Sequence, residues 1–222
     1  MTLETSRKES IQMTLATQAQ TTTAPAGATG QWTDWTIDPA HTDVLFSAKH
    51  MMVTTVRGKF HDVEGTLHVD EANPTNSSAE IRIAAASLST GNGQRDGHLR
   101  SPDFFSAEVH PTIAFRSTGI EQVGTADFRI TGDLTIQDKT RPIVFDATFL
   151  GFYTSMQGTR RFGLSARTII NRKDWGLGWN VALETGGWLV GENVTIEVEI
   201  AADEAAPAAT KAAATAEAAA AS

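Results

Sequence analysis

The chain of 222 residues contains no cysteine, and several kinds of site are excluded with it. Without thiols there can be no disulfide, no thiolate metal site and no cysteine nucleophile. Basic residues are also scarce: 18 Lys and Arg stand against 26 Asp and Glu, which gives a formal net charge of −8. Because phosphate backbones are bound by basic stripes, this balance argues against nucleic acid as a partner.

Long apolar runs are missing as well. No stretch approaches the roughly 18 to 20 apolar residues that a membrane helix needs, so we expect no transmembrane segment. Residues 1–30 are rich in Thr, Gln, Ser and Ala and lack the apolar block of a secretory signal. From these residues we expect a cytoplasmic protein.

Two segments of biased composition flank the rest of the chain. Residues 1–31 are polar and of low complexity, and residues 203–222 end in an Ala-rich run. Such composition is typical of disordered termini. We therefore predict two disordered tails around a single domain at residues 32–202, a length that suffices to bury a core.

Within that domain, apolar and polar residues alternate with a period of two, which predicts β-strands. Turn residues separate about eight such segments. The alternation changes phase once, near His61 and Asp62, and this change predicts a β-bulge. An antiparallel run of eight strands must close on itself or form a sandwich to protect its edges.

Closure is favoured by the bulge and by three glycines on inward faces, Gly58, Gly65 and Gly132, because both features relieve crowding where strands curve. The predicted fold is therefore all-β, an extended antiparallel β-barrel of about eight strands.

Two segments do not follow the strand pattern. Residues 89–105 contain three glycines and Pro102, which allow only a short helix, and we predict a helical lid whose apolar residues turn inward. Residues 172–191 hold three of the five tryptophans among glycines and predict a long loop that plugs or frames one end of the barrel.

A barrel of eight strands encloses room for packed side chains or for one small ligand. The pattern leaves both alternatives open: a filled barrel with a structural or interaction role, or a cavity for an apolar ligand. The residues predicted to line the lumen are mostly large and apolar: Val44, Phe46, His50, Ile81, Ile83, Leu99, Phe104, Phe105, Phe115, Phe128, Ile130, Leu134, Phe145, Phe149, Phe162, Leu164 and Trp175. His50 could equally be a hydrogen-bonded histidine near a barrel end.

The predicted lid carries the best polar candidates. The charged cluster of the lid consists of Arg95, Asp96, His98 and Arg100. Because guanidinium groups bind phosphate and hydroxyl groups well, this cluster could bind the head group of a ligand. Alternatively, these residues pair with each other or cap loop carbonyls and hold the lid in shape. A third interpretation is a small barrel enzyme with His98 and Asp96 as acid and base.

No other chemistry is indicated by the sequence. The six histidines show no metal-ligand spacing, and neither a nucleophile elbow nor a phosphate loop is present. We therefore predict no metal site, no cofactor and no catalytic residue.

Several motifs in a characteristic order resemble the YceI-like, polyisoprenoid-binding proteins over residues 35–201. They are Asp38-Pro-Ala-His41, Gly58-Lys-Phe60, Arg95-Asp-Gly-His-Leu-Arg-Ser-Pro-Asp-Phe-Phe105, Gly132-Asp-Leu-Thr135 and Ile170-Asn-Arg-Lys-Asp-Trp-Gly-Leu177. Two mild departures are Thr42, where serine is usual, and Trp175, where phenylalanine is common.

The resemblance implies a lipocalin-like barrel of bacterial type that holds a long isoprenoid or a related amphiphile, often as a homodimer. Many such proteins are exported to the periplasm. From it we expect binding and carriage or storage of a polyisoprenoid, an isoprenoid quinone or another long-chain lipid, without enzymatic activity.

Overall fold

The computed structural model describes residues 32–156, 158–184 and 186–205. The predicted tail at residues 1–31 and residues 206–222 of the second tail lie outside the described residues. The last strand continues to Glu204, two residues beyond the predicted end of the domain.

The described chain is built from eleven strands and one α-helix: β1 (Trp32–Ile37), β2 (Asp43–His50), β3 (Thr54–Phe60), β4 (Val63–Asp70), β5 (Ser78–Ala84), β6 (Leu88–Ser89), α1 (Gly93–Arg100), β7 (Thr112–Gln122), β8 (Asp127–Ile136), β9 (Lys139–Thr154), β10 (Arg160–Asn171) and β11 (Val190–Glu204). Three short 3-10 helices lie at Pro74–Asn76, Ala85–Ser87 and Arg172–Trp175.

All strand pairs are antiparallel, and the sheet closes on itself in the order β1-β4-β5-β7-β8-β9-β10-β11, with β1 pairing back to β11. The end of β11 pairs with β1, and its earlier part pairs with β2. Strands β1 and β2 thus act as one interrupted strand, as do β3 and β4. The predicted eight-stranded barrel is confirmed, although the sequence pattern did not identify β1.

The predicted change of phase in the second long strand is present. Strand β3 ends at Phe60 and β4 begins at Val63. Between them His61 N–H donates to Ser87 O (3.4 Å), and Asp62 O accepts from Ala84 N–H (3.0 Å). His61 therefore bonds to the connection after β5 and Asp62 to the last residue of β5, so the second long strand changes partners at these two residues, from β2 and β6 to β1 and β5.

Phenylalanine rings of the barrel wall lie over glycines of neighbouring strands. A Cβ atom added to Gly58 would lie 2.3 Å from the Phe46 ring, and one added to Gly132 would lie 2.4 Å from the Phe115 ring. The glycines thus provide the space that the rings occupy against the wall.

Replacement of Gly132 by alanine should destabilise the barrel by about 1–3 kcal/mol, because the new methyl group overlaps the Phe115 ring and lies 2.6 Å from Arg116 O. Urea denaturation measures this loss. The matched control is Gly119→Ala in the adjacent strand, where an added Cβ meets no heavy atom within 4 Å. This substitution should change the free energy of unfolding by no more than about 0.5 kcal/mol. Equal stability of the two variants would contradict the packing described.

Candidate ligand-binding lumen

Among the described residues, two cavities of about 180 Å³ and about 150 Å³ lie in the barrel interior. Their walls share Leu67, Ala79, Ile130 and Leu164, so the cavities lie end to end. On the same measure one water needs roughly 10–15 Å³, so each cavity has room for many atoms. Because the shared wall is apolar, the lumen is expected to exclude water.

Most of the predicted lumen residues line these cavities. Those on the first cavity are Val44, Phe46, Ile81, Ile83, Leu99, Phe104, Phe105, Phe115, Ile130, Leu134, Phe145 and Leu164. Those on the second are Phe128, Ile130, Phe149, Phe162 and Leu164. The structure therefore brings together fifteen of the seventeen predicted side chains, twelve by strand alternation and three, Leu99, Phe104 and Phe105, from the predicted lid.

His50 and Trp175 line neither cavity, and their predicted place in the lumen is corrected. His50 ends β2 in a hairpin that extends past the barrel, where it pairs with Thr54 and Val190. Trp175 is buried in a 3-10 helix, and its Nε1 donates to Leu134 O (3.0 Å). This indole packs the loop against the barrel instead of contacting the lumen.

The lid predicted over one end of the barrel is present as α1 and the turn that follows it. The Asn92 side chain caps the helix by accepting from Arg95 N–H (3.0 Å). Leu99, Phe104 and Phe105 contribute to the wall of the first cavity. We call this end of the lumen the lid end.

The charged residues of the lid hold its backbone and do not line either cavity. Asp96 is buried and accepts from Thr90 N–H (2.8 Å) and Thr90 Oγ1 (2.5 Å). Arg95 donates from Nε to Thr90 Oγ1 (2.7 Å) and from Nη2 to Thr90 O (2.9 Å). Arg100 donates from Nε to Ala86 O (2.8 Å) and from Nη2 to Leu88 O (2.5 Å).

His98 also has a structural partner. Its Nε2 lies 2.8 Å from Asp103 Oδ2, and its ring packs edge-on against Trp179 (4.5 Å) and Phe104 (5.1 Å). His98 and Asp96 therefore bond to different groups, which does not support an acid and base pair. For the four lid residues the structure favours the alternative that they hold the lid in shape, because the bonds above join them to the lid and its neighbours; a head-group role stays a prediction.

Sequence analysis did not single out Arg172, which is buried and contributes to the first cavity wall. Its Nε donates to Gly191 O (3.0 Å), and its Nη atoms donate to Leu177 O and Val190 O. Burial lowers the pKa of Arg172. The guanidinium fastens the loop after β10 to the start of β11. No alternation pattern could reveal this role, because all three acceptors are backbone carbonyls.

The other end of the lumen, which we call the far end, has a polar rim. The second cavity is bordered there by Glu71, Pro74 and Ser77 of the β4–β5 connection and by Ser78, the first residue of β5. Arg160 pairs with Glu71 at 2.6 and 2.8 Å and lies 4.2 Å over the ring of Phe152, another wall residue. Sequence analysis missed this ion pair, which joins positions 89 residues apart.

Comparison with known proteins identifies the family to which the chain belongs. The family model of the YceI-like domain matches residues 35–202. The chain belongs to the YceI-like family. Among its YceI-like relatives, a UPF0312 protein of Staphylococcus epidermidis is 36% identical over 166 residues, covering 74% of this chain and 94% of the relative. A UPF0312 protein of Azotobacter vinelandii is 34% identical over 146 residues, covering 65% and 76%.

Solved structures of YceI-like type agree with the fold. The YceI protein of Campylobacter jejuni is 28% identical with a TM-score of 0.62, covering 71% of this chain and 90% of that one. BcnA of Burkholderia cenocepacia, at 22% identity, has a TM-score of 0.66, and the match covers 74% of this chain and 98% of BcnA. A polyisoprenoid-binding domain of Saccharophagus degradans has 13% identity and a TM-score of 0.56, and the match covers 77% of this chain and 98% of that domain. At those last two identities the likeness shows the fold alone.

Two further observations concern the described parts of this YceI-like chain. No helix among them has the length and apolar character needed to cross a bilayer. No three His, Asp or Glu side chains among them are grouped so that they could hold a metal ion.

The lid should lose stability in acid through Asp96. Burial raises the pKa of this carboxyl, but the bonds from Thr90 and the charges of Arg100 and Arg95 outweigh burial, and the pKa lies below its usual 3.8. A carboxyl group whose pKa is lower in the folded chain than in the unfolded chain stabilises the fold at any pH above its unfolded pKa. That stabilisation is lost as the pH falls through the folded pKa.

We therefore expect Asp96→Asn to lower the free energy of unfolding by about 1–3 kcal/mol at pH 7. This difference between the variant and the wild type should become smaller when the pH is below the usual pKa of an aspartate. Urea denaturation at pH 7 and at pH 3 measures both quantities. A gap that stays constant with pH would show that the charge of Asp96 does not stabilise the lid.

Proposed function

We propose that this protein binds a long apolar ligand, such as a polyisoprenoid, an isoprenoid quinone or a similar amphiphilic lipid, in the barrel lumen and carries or stores it. The observation that supports this most is the pair of adjoining cavities, whose shared wall is formed by aliphatic side chains of Leu67, Ala79, Ile130 and Leu164. An extended chain fits a long, narrow, apolar space better than a compact polar metabolite does.

Apolar burial alone can provide the affinity. Removing roughly 20 methylene-sized groups from water contributes on the order of 16 kcal/mol before other terms. Association costs roughly 4 to 15 kcal/mol in lost freedom. The remainder is enough for useful binding, so few polar contacts are required.

The fold relationship supports the same class of ligand, since the Saccharophagus degradans domain is described as polyisoprenoid-binding. The alternative of a small enzyme is less favoured, because His98 bonds to Asp103 while Asp96 bonds to Thr90. The alternative of a filled barrel is disfavoured by the cavities. Homodimer formation and a cytoplasmic location stay predictions from the resemblance and the first residues.

Filling the junction of the two cavities should remove the ligand. Ala79 lines both, and Ala79→Phe should reduce the hydrophobic molecule that co-purifies by at least about tenfold, because blocking half the lumen removes more apolar burial than the roughly 1.4 kcal/mol of a tenfold loss. Native mass spectrometry and organic extraction of protein purified from cells measure the retained ligand.

The matched control is Val144→Phe, an outward substitution on β9 at a partly exposed side chain, which should leave retention unchanged. Ala79→Leu, a smaller change, covers the case in which the larger ring prevents folding and should give an intermediate loss. An empty wild-type barrel that also fails to take up an added prenyl alcohol would refute the proposal.

A further inference from the structure

An exposed apolar patch lies beyond the lid end of the barrel. The hairpin between β2 and β3 has Met51, Met52 and Val53 at its tip, with exposed fractions of 49%, 62% and 80%. Trp188 is 47% exposed, and Val181 is similarly open. Several large apolar side chains exposed on neighbouring segments indicate a contact with a membrane or a partner.

The two segments of the patch are physically joined. Met51 N–H donates to Leu189 O (2.8 Å), and Leu189 N–H donates to Val181 O (2.9 Å). A Cβ atom on Gly187 would lie 3.3 Å from the Met52 side chain. We call these five side chains, Met51, Met52, Val53, Val181 and Trp188, the apolar tip.

The backbone of the tip is unfavourable for the residues it carries. Met51 and Met52 have φ values of 50° and 63°, the left-handed region. They are the central residues of a β-turn closed by Val53 N–H donating to His50 O (3.2 Å), and turns with positive φ at both central residues ordinarily take Asn, Asp or Gly there. Two methionines that are both strained and exposed stabilise neither the turn nor a core, which indicates that they serve a contact outside the chain.

The charge of this hairpin differs from that of the protein. The β2–β3 hairpin, residues 43–60, contains Lys49, Arg57 and Lys59 and one acidic residue, Asp43, which pairs with Lys59, whereas the whole chain has a net charge of −8. In the neighbouring loop, residues 172–191, two basic residues balance two acidic ones. Lys173 lies 5.8 Å over the Trp188 ring and pairs with Glu192. The apolar tip thus stands on a hairpin with a small excess of positive charge, carried by Lys49 and Arg57.

The segment that is hydrogen-bonded to the tip also reaches the lumen. Val190, the residue after Leu189, and Leu177 of the same loop line the first cavity. Apolar side chains with a tryptophan and flanking lysines are the composition of segments that sit in the bilayer interface. A tip held in a bilayer would therefore bring this end of the barrel, with its cavity-lining residues, close to the source of an apolar ligand.

We propose that the apolar tip docks this protein on the surface of an anionic lipid bilayer, with Met51, Met52, Val53 and Trp188 inserted among the head groups and the basic hairpin residues facing the anionic lipid. The inference deepens the proposed carriage of a lipid and rests on it. It names the source and destination of the ligand as a membrane surface.

The test uses vesicles of phosphatidylcholine containing one quarter phosphatidylglycerol, with binding followed by flotation and by tryptophan fluorescence. The full-length wild-type chain should float with the vesicles at low salt and show a blue shift. Binding should weaken in higher salt and on pure phosphatidylcholine, because the basic hairpin supplies part of the attraction.

The deciding variant is Met51→Asn combined with Met52→Gly. It supplies the residues that the turn favours, so the melting temperature should stay the same or rise, while binding to the vesicles should fall by roughly tenfold, since two inserted side chains are lost. A loss of binding without a loss of stability cannot be attributed to unfolding. Val53→Ser at the same tip should weaken binding in the same direction.

Leu150→Ser is the matched control, because Leu150 is 60% exposed on β9, outside the tip, and should leave binding unchanged. The proposal is overturned if the wild type does not bind the vesicles at low salt, or if the turn variant binds as well as the wild type. It is equally overturned if the variant changes only the oligomeric state, since the tip would then contact a second copy of the chain.

The outcome is separable from the proposed function. Retention of a hydrophobic molecule in the lumen, measured by native mass spectrometry, does not require the tip. A protein that retains its ligand but ignores vesicles would refute membrane docking alone.

Discussion

The closure of the sheet on β11 is the constraint from which the other features of the barrel follow. One edge of β11 pairs with β10 over eleven residues, and the other edge is shared between β2 and β1. Because both edges are used, no long edge of β11 is left for aggregation. Closure also directs one face of every strand into a common interior, so that the period-two pattern of the sequence becomes a single apolar lumen.

Space within that lumen depends on where the aromatic rings lie. Phe46 packs over Gly58 and Phe115 over Gly132, so these rings lie against the wall of the barrel. At each end the barrel is completed by side chains that bond to backbone or to each other: Arg100 and Arg172 at the lid end, and Arg160 with Glu71 at the far end. The polar groups thus stabilise the closure and leave the apolar interior free for a ligand.

The fold and the lumen wall could be predicted because both depend on local alternation. A strand whose apolar residues recur every second position places them on one face whatever the remaining chain does. Strand β1 was missed because Trp32–Ile37 is short and adjoins a polar segment, although Trp35 and Ile37 do alternate with polar residues.

The predicted polar site could not be obtained in the same way. Arg95, Asp96 and Arg100 were assigned to a head group from their charge, but their partners are a threonine and the carbonyls of Ala86, Leu88 and Thr90. Such partners are set by tertiary approach and leave no trace in residue spacing. His50 and Trp175 were misplaced for a related reason, since alternation does not show where a strand leaves the barrel or which loop indole turns toward the core.

The central claim is that the barrel has an unfilled, water-free interior. Crystals of the protein pressurised with xenon test it directly, because apolar cavities of this size stay dry and take up xenon. The structure predicts xenon sites inside the barrel near Ile130 and Leu164, or density for a bound ligand at the same place. An interior occupied only by protein side chains, or by a chain of ordered waters, would contradict the account.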